Sequence, residues 1–326
     1  MRFISRSIVL TAACCLIAAP SGPAAAQEWP QKPIHLIIGF GAGGGTDIVG
    51  RIIQQPMQDR LGQPVIIENR PGAGGTIGAD AVARADKDGY TLGLLVNGHV
   101  ISGVLAKTPR YDTATAFDAV GLVATASLMI AARPDFPANT AKEVIALAKA
   151  EPGKLSFGSP GFGGTQHFTG ELFKQMAQLD MLHVPFRTSP ELATAVMGKQ
   201  VDILFDTVPA VLGMVRSGQL KPLAVTGEAR FPAVPDVPTV KESGALPGYV
   251  VSTWYGLVAP RGTPPAVLAK LNTALRDTLA DKDVRDKLAK AGAVAEHSTP
   301  EVFRQHIVDE VARWEKVREG AKIPKQ

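Results

Sequence analysis

The chain has little cysteine, only Cys14 and Cys15 in 326 residues. Beyond residue 26 there is none, so no disulfide framework can staple the remainder and stability must come from core packing. No apolar run reaches the roughly 20 residues that span a bilayer. The run from Ile8 to Ala19 follows Arg2 and Arg6 and precedes Pro23-Ala24-Ala25-Ala26, the pattern of a secretory signal. Residues 1–26 are therefore expected to be a cleaved signal peptide, and the mature chain to be exported to the periplasm. A lipoprotein signal is disfavoured because neither cysteine has a Leu three residues before it. Charge of one sign is also missing: there are 34 basic and 30 acidic residues, and removing Arg2 and Arg6 leaves 32 against 30. With basic residues spread along the chain, no nucleic-acid partner is expected. His, Cys and carboxylate pairs at metal-ligand spacing are absent, no Gly-Lys-Ser/Thr follows a glycine loop, and no G-x-S-x-G surrounds Ser159, because the position two before it is Phe157. No metal, no cofactor and no catalytic residue is assigned.

What is present is an ordinary globular composition, 45% hydrophobic and 20% charged, with length for one large or two medium domains. The stretch Ile34 to Asp47 reads as a buried strand running into glycines and then a helix start. Five of the seven residues from Gly39 to Gly45 are glycine, so backbone amides can approach a ligand, and a helix N-terminus behind them favours an anion. Gly41, Ala42, Gly43, Gly44, Gly45, Thr46 and Asp47 are the candidate binding residues here. The helix is traced through Ile48, Ile52, Ile53 and Met57, with Pro56 expected to kink it or end it early. Two other readings stand beside this one. Gly39-Phe40-Gly41-Ala42-Gly43-Gly44 matches G-x-G-x-x-G, with Glu68 at the end of the next strand where a ribose-binding acid would sit. Alternatively, the glycines only make a tight turn.

Further strands are expected at Val65–Asn69, Thr91–Val96, Leu155–Gly158, Val184–Phe186, Val201–Asp206, Leu220–Thr226 and Val250–Ala259. Helices are expected at Ile77–Ala85, about Lys142–Ala150, Pro265–Ala291 and Pro300–Gly320, with an apolar segment at Ala119–Ala132. This alternation argues for a parallel sheet covered on both faces. The loop Ser159 to His167 repeats the first pattern: it follows a strand, carries Gly161, Gly163 and Thr165, and opens a helix through Phe168, Leu172, Phe173 and Met176. Two anion-friendly loops on two half-chains suggest one on each wall of a cleft. His167 and His183 read as hydrogen-bonding or capping residues, and Asp47 and Asp206 as caps or acid/base groups.

Several motifs carry a resemblance. Trp29-Pro30-Gln31-Lys32-Pro33-Ile34, Phe40 to Asp47, Glu68 to Gly75, Asp88-Gly89-Tyr90-Thr91-Leu92, Gly158-Ser159-Pro160-Gly161, His183-Val184-Pro185-Phe186-Arg187, Val237-Pro238-Thr239 with Glu242, and Trp254 to Pro260, taken together and in order, resemble the Bug receptors. These are the periplasmic solute-binding proteins of tripartite tricarboxylate transporters. The resemblance implies an α/β, two-lobed periplasmic-binding-protein fold of the Venus-flytrap, type II-like kind. Lobe 1 would take residues 27–122 and 253–326, and lobe 2 residues 123–252. It implies a small carboxylate ligand, gripped by loop amides and ordered waters in the first lobe, with selectivity from the second. By position it points to Gly41–Asp47 on one wall and to Ser159–His167, Arg187 and Asp206 on the other. The partners implied are membrane subunits of a tripartite transporter, the receptor itself being a monomer that acts by hinge closure without a cofactor. An exported carboxylate sensor and a dinucleotide-binding enzyme are the alternatives. The chain departs from the family pattern at Gly39 or Ala42, where many relatives have Pro, and at Thr188, where they have Gly.

Overall fold

Strand β1 (Ile34–Ile38) is buried except at His35, as befits the centre of a parallel layer. The structure is a computed structural model that describes residues 28–320 and 325; the expected signal peptide lies outside the described residues. Helix α1 (Gly45–Leu61) continues past Pro56 and so does not end early there. Ile53, Met57 and Leu61 are buried on either side of the proline and hold the helix against the sheet. It ends at Gly62, whose φ of 71° is the left-handed cap that glycine favours. There follow β2 (Val65–Asn69), a 3-10 turn at Ala73–Gly75, α2 (Thr76–Ala83), β3 (Thr91–Val96) and α3 (Asn97–Leu105). The apolar segment expected at Ala119–Ala132 is one long strand, β4 (Phe117–Ala132).

The second half-chain runs α4 (Ala141–Ala150), β5 (Ser156–Pro160), α5 (Thr165–Ala177), β6 (Leu182–Phe186), α6 (Ser189–Met197), β7 (Ile203–Thr207), α7 (Val208–Arg216) and β8 (Lys221–Val225). The chain returns through β9 (Ser252–Pro260), α8 (Pro265–Ala280), α9 (Lys282–Ala291), β10 (Val294–Ala295) and α10 (Pro300–Gly320). The helix expected over 265–291 is thus two, broken where the Asp281 carboxylate accepts from the Asp283 amide and caps α9.

The strands are ordered β2-β1-β3-β9-β4-β7-β5-β6, with β8 and β10 also paired to β4. Two parallel triples, β2-β1-β3 and β6-β5-β7, are joined by β9 and β4, which run antiparallel to their neighbours. The expectation of a parallel sheet therefore holds within each triple and fails between them. β9 pairs with strands more than a hundred residues away, a relation that local alternation of strand and helix does not reveal. β4 pairs with β9 as far as Ser127 and with β7 from Leu128 onward, so one strand serves both halves. A single buried cluster, including Leu95, Val100, Ile130, Phe157 and Phe205, continues beneath both.

β1 and β5 are each the centre of a triple. Their carboxyl ends are where successive crossovers go opposite ways, the place at which open α/β sheets bind ligands. Register brings these two edges together. Val96 at the end of β3 pairs with Tyr255 near the start of β9, and Thr207 at the end of β7 pairs with Leu128 at the strand change.

Candidate functional site

The first wall is the turn between β1 and α1. Its shape is set by Gly43, whose φ of 78° is left-handed, and by Asp47 one turn into the helix. Asp47 Oδ2 accepts from the Gly43 amide (2.9 Å) and from Arg51 Nε (2.8 Å). Its Oδ1 accepts from Asn69 Nδ2 (3.0 Å), which also donates to the Phe40 carbonyl. Burial opposes the charged form, but the hydrogen bonds from Arg51, Gly43 and Asn69 outweigh it and hold Asp47 below the usual carboxylate range. Asp47 is thus an internal clasp. Gly45 and Thr46, first in α1, have amides with no intrahelical acceptor to meet.

The second wall is the turn between β5 and α5. His167 Nδ1 accepts from the Gly163 amide (3.0 Å), and its ring stacks on His183 at 3.9 Å between centroids. His183 Nε2 lies 2.8 Å from Ser159 Oγ. Burial lowers His167 to about 4, and burial together with the neighbouring His167 and Lys174 lowers His183 to about 3, so both rings are neutral at pH 7. They frame the loop from behind. Next to it, Thr188 caps α6 by accepting from the Glu191 amide. Asp206 is buried at the end of β7; burial pushes its pKa up to about 6 against hydrogen bonds from Ser189, the Thr207 amide and Gln166.

The two walls meet. Phe40, Gly41, Gly44, Gly45 and Thr46 face Pro160, Gln166, Arg187, Thr188 and Ser189 across an enclosed gap of about 10 Å³, roughly the room one water needs. The approach is closest at Gly45, where a Cβ would lie 2.2 Å from Thr207 Oγ1 and 3.0 Å from the Tyr255 hydroxyl. Thr165 Oγ1 donates to Asn97 Oδ1 (2.9 Å), which Thr253 also contacts, and Ser102 Oγ donates to the Gly163 carbonyl (2.6 Å). A separate, mainly apolar cavity of about 230 Å³ lies beyond that last contact, between Ala73, Leu105, Tyr111 and Phe162.

Of the candidate residues, Gly41, Gly44, Gly45, Thr46 and Arg187 line the gap, while Ala42 and Gly43 are exposed on its outer side. Asp47, Ser159, Gly161, Gly163 and His167 shape the loops; Thr165 and Asp206 lie beside the gap. Ser189, Thr207, Tyr255 and Asn97 were not foreseen, and Gln166 only as part of the stretch Ser159–His167. One signal was available: Thr188-Ser189-Pro190-Glu191 has the T-x-x-E pattern that announces a helix N-terminus, and in the structure Thr188 Oγ1 accepts from the Glu191 amide while the Glu191 carboxylate accepts from the Arg187 amide. Glu68, the acid of the dinucleotide reading, is paired instead with Arg70 (2.6 Å) and His35 (2.5 Å). Among the described residues no group of His, Cys, Asp or Glu is placed to hold a metal ion, and no helix is long and apolar enough to cross a membrane.

Residues 49–322 match the model of the tripartite tricarboxylate transporter family receptor. The chain is also similar to the solved periplasmic binding protein BugD, with a TM-score of 0.88 and 35% identity over 91% of this chain and 100% of that one. Rpa4515 of Rhodopseudomonas palustris, solved with adipate, gives a TM-score of 0.87 and 32% identity over 91% of this chain and 99% of its own. MatC of the same organism, with bound malate, gives 0.84 and 35% over 89% and 99%.

Proposed function

Because the chain belongs to the tripartite tricarboxylate transporter receptor family, we propose that it is an exported receptor which captures a small carboxylate between two lobes and delivers it to the membrane subunits of such a transporter. The observation that carries this reading is the closed gap itself. The N-terminus of α1 faces that of α5, with first-turn amides on both sides and Arg187 at the rim. Such a site attracts an anion. Adipate in Rpa4515 and malate in MatC are ligands of the expected class. The lobes of this reading are residues 27–122 with 253–326, and 123–252, moving as two bodies about β4 and the lead into β9. The receptor works in the periplasm as a monomer, by hinge closure without a cofactor.

A panel of mono-, di- and tricarboxylates tests this by thermal melting. A true ligand at a hundred times its Kd should add about 2.7 kcal/mol, roughly several degrees for a chain of this size, while neutral sugars and NAD leave the curve unmoved. A panel without effect, beside a clear shift with NAD, would overturn the receptor reading.

A further inference from the structure

Beyond the contact between Ser102 and Gly163 lies the cavity of about 230 Å³, which shares no lining residue with the gap between the two loops. The contacts that part them are tight. Ser102 Oγ donates to the Gly163 carbonyl at 2.6 Å, and a Cβ on Gly74 would lie 2.7 Å from the Gly163 carbonyl carbon. The cavity's walls come from both parallel groups: Ala73, Leu105, Ala106, Pro109 and Tyr111 from the first, and Phe162, in the turn between β5 and α5, from the second. Tyr111 is held edge-on against Phe117, with 5.2 Å between ring centroids, and Phe162 lies on His167 at 4.6 Å yet stays 51% exposed. Arg110, exposed at the surface, is the one charged residue in the lining. Among the described residues no hydrogen bond or ion pair engages it; Asp112, two positions on, accepts instead from the amides of Ala114 and Thr115.

These features define an amphipathic guest. An apolar cavity of ~150 Å³ already holds a benzene ring, so 230 Å³ admits a ring with one small substituent. Apolar walls that carry no acid gain from burying such a ring. The unpaired guanidinium at their edge takes a carboxylate, to which its planar fork is matched. A di- or tricarboxylate would instead press a second charge against Leu105 and Phe162, with nothing there to pair it. We propose that the cavity is a second binding site, separate from the gap, for a compact aromatic monocarboxylate whose ring lies between Tyr111 and Phe162 and whose charge pairs with Arg110. Because the walls come from both groups, a guest there stabilises the closed arrangement and tightens the binding of a carboxylate in the gap. Only that coupling rests on the receptor reading.

Benzoate is the probe, titrated by ligand-observed NMR beside benzyl alcohol, which keeps the ring without the charge, and acetate, which keeps the charge without the ring. Benzoate should bind at least about threefold more tightly than either. Arg110→Gln should weaken benzoate by about the same factor and leave benzyl alcohol unchanged. Ala106→Phe, at a position with ordinary extended backbone (φ −70°, ψ 134°), fills the cavity and should abolish the binding of both; melting curves check that the two variants fold. In the parent, saturating benzoate should tighten at least about twofold whichever panel carboxylate binds in the gap. Benzoate that does not bind the parent, that binds both folded variants as it binds the parent, or that displaces the carboxylate from the gap would overturn the assignment. If no panel carboxylate binds, the receptor reading fails alone, and the benzoate titrations of parent and variants still uphold or overturn this site.

Discussion

Gly45 is the residue at which binding and folding can be separated most cleanly. It is the first residue of α1, and the Gly44 before it has an ordinary extended backbone, φ −76° and ψ 165°. Alanine at position 45 gains up to about 1 kcal/mol in helix propensity, which offsets the tight contact its methyl group makes with the Tyr255 hydroxyl at 3.0 Å, so stability should stay within about 1 kcal/mol of the parent. Yet its methyl group would lie 2.2 Å from Thr207 Oγ1, so the walls could not come together as they do here. We expect Gly45→Ala to stay folded with a melting curve within about 1 kcal/mol of the parent and to lose at least about tenfold in carboxylate affinity, or 1.4 kcal/mol. Gly62→Ala is the converse control. Its φ is 71° with no atom within 4 Å of a Cβ, so it should lose about 1 kcal/mol of stability and keep its affinity. Near-normal affinity in Gly45→Ala would show that closure at this point is not needed for binding. The sequence made the glycine loop visible as a place of backbone approach, but not which glycine did what. The left-handed φ belongs to Gly43 and the tight contact to Gly45, and the latter depends on Thr207, a residue of the other half-chain that no local pattern connects with it.

Among the elements, the junction of α5 with β6 is set apart by its stacked, neutral histidines. Both folded pKa values, about 4 and about 3, lie below the ordinary 6.5. The unfolded chain thus takes up protons first as pH falls. Their contribution to stability is complete above about pH 6.5 and is lost progressively toward pH 4 and pH 3, on the order of 1 to 2 kcal/mol per ring at pH 5. Asp206 acts in the opposite sense. Raised to about 6, it adds stability below its unfolded value of 3.8 and loses it as pH rises through 6. Two rings outweigh one carboxyl, so denaturant unfolding should give a lower free energy at pH 5 than at pH 7.5. His183→Phe keeps a ring against His167 and Phe157 but cannot be protonated. It should start about 1 kcal/mol lower at pH 7.5, through the bond lost to Ser159, and show a shallower decline; an unchanged slope would mean that the stack does not cause it. At this scale much of the fold was legible, because β1, β2, β3, α4 and α10 follow from apolar spacing and punctuation alone. Helices α3, α6 and α7, nine residues each, were not expected. The places of β4 and β9 rest on pairing between distant segments.

For the molecule as a whole, ligand affinity depends on how far the two halves are already closed. Ser102 Oγ donates to the Gly163 carbonyl, and Thr165 Oγ1 to Asn97 Oδ1. Both bonds join elements of the first parallel group to elements of the second, so both depend on the two halves being together. If the unliganded receptor is mainly open, apparent affinity is the intrinsic affinity scaled by the closed fraction. Removing one closed-state hydrogen bond worth about 1 kcal/mol then weakens binding about fivefold. A receptor already closed without ligand would lose much less, because the closed population would still dominate. Ser102→Ala distinguishes the two when calorimetry is combined with solution scattering with and without ligand. We expect about fivefold weaker carboxylate binding, an unliganded melting curve within about 0.5 kcal/mol of the parent, and a radius of gyration that falls on ligand addition in both proteins. Affinity unchanged in Ser102→Ala, together with a radius that ligand does not alter in either protein, would mean that the two halves form one rigid body and that β4 is no hinge.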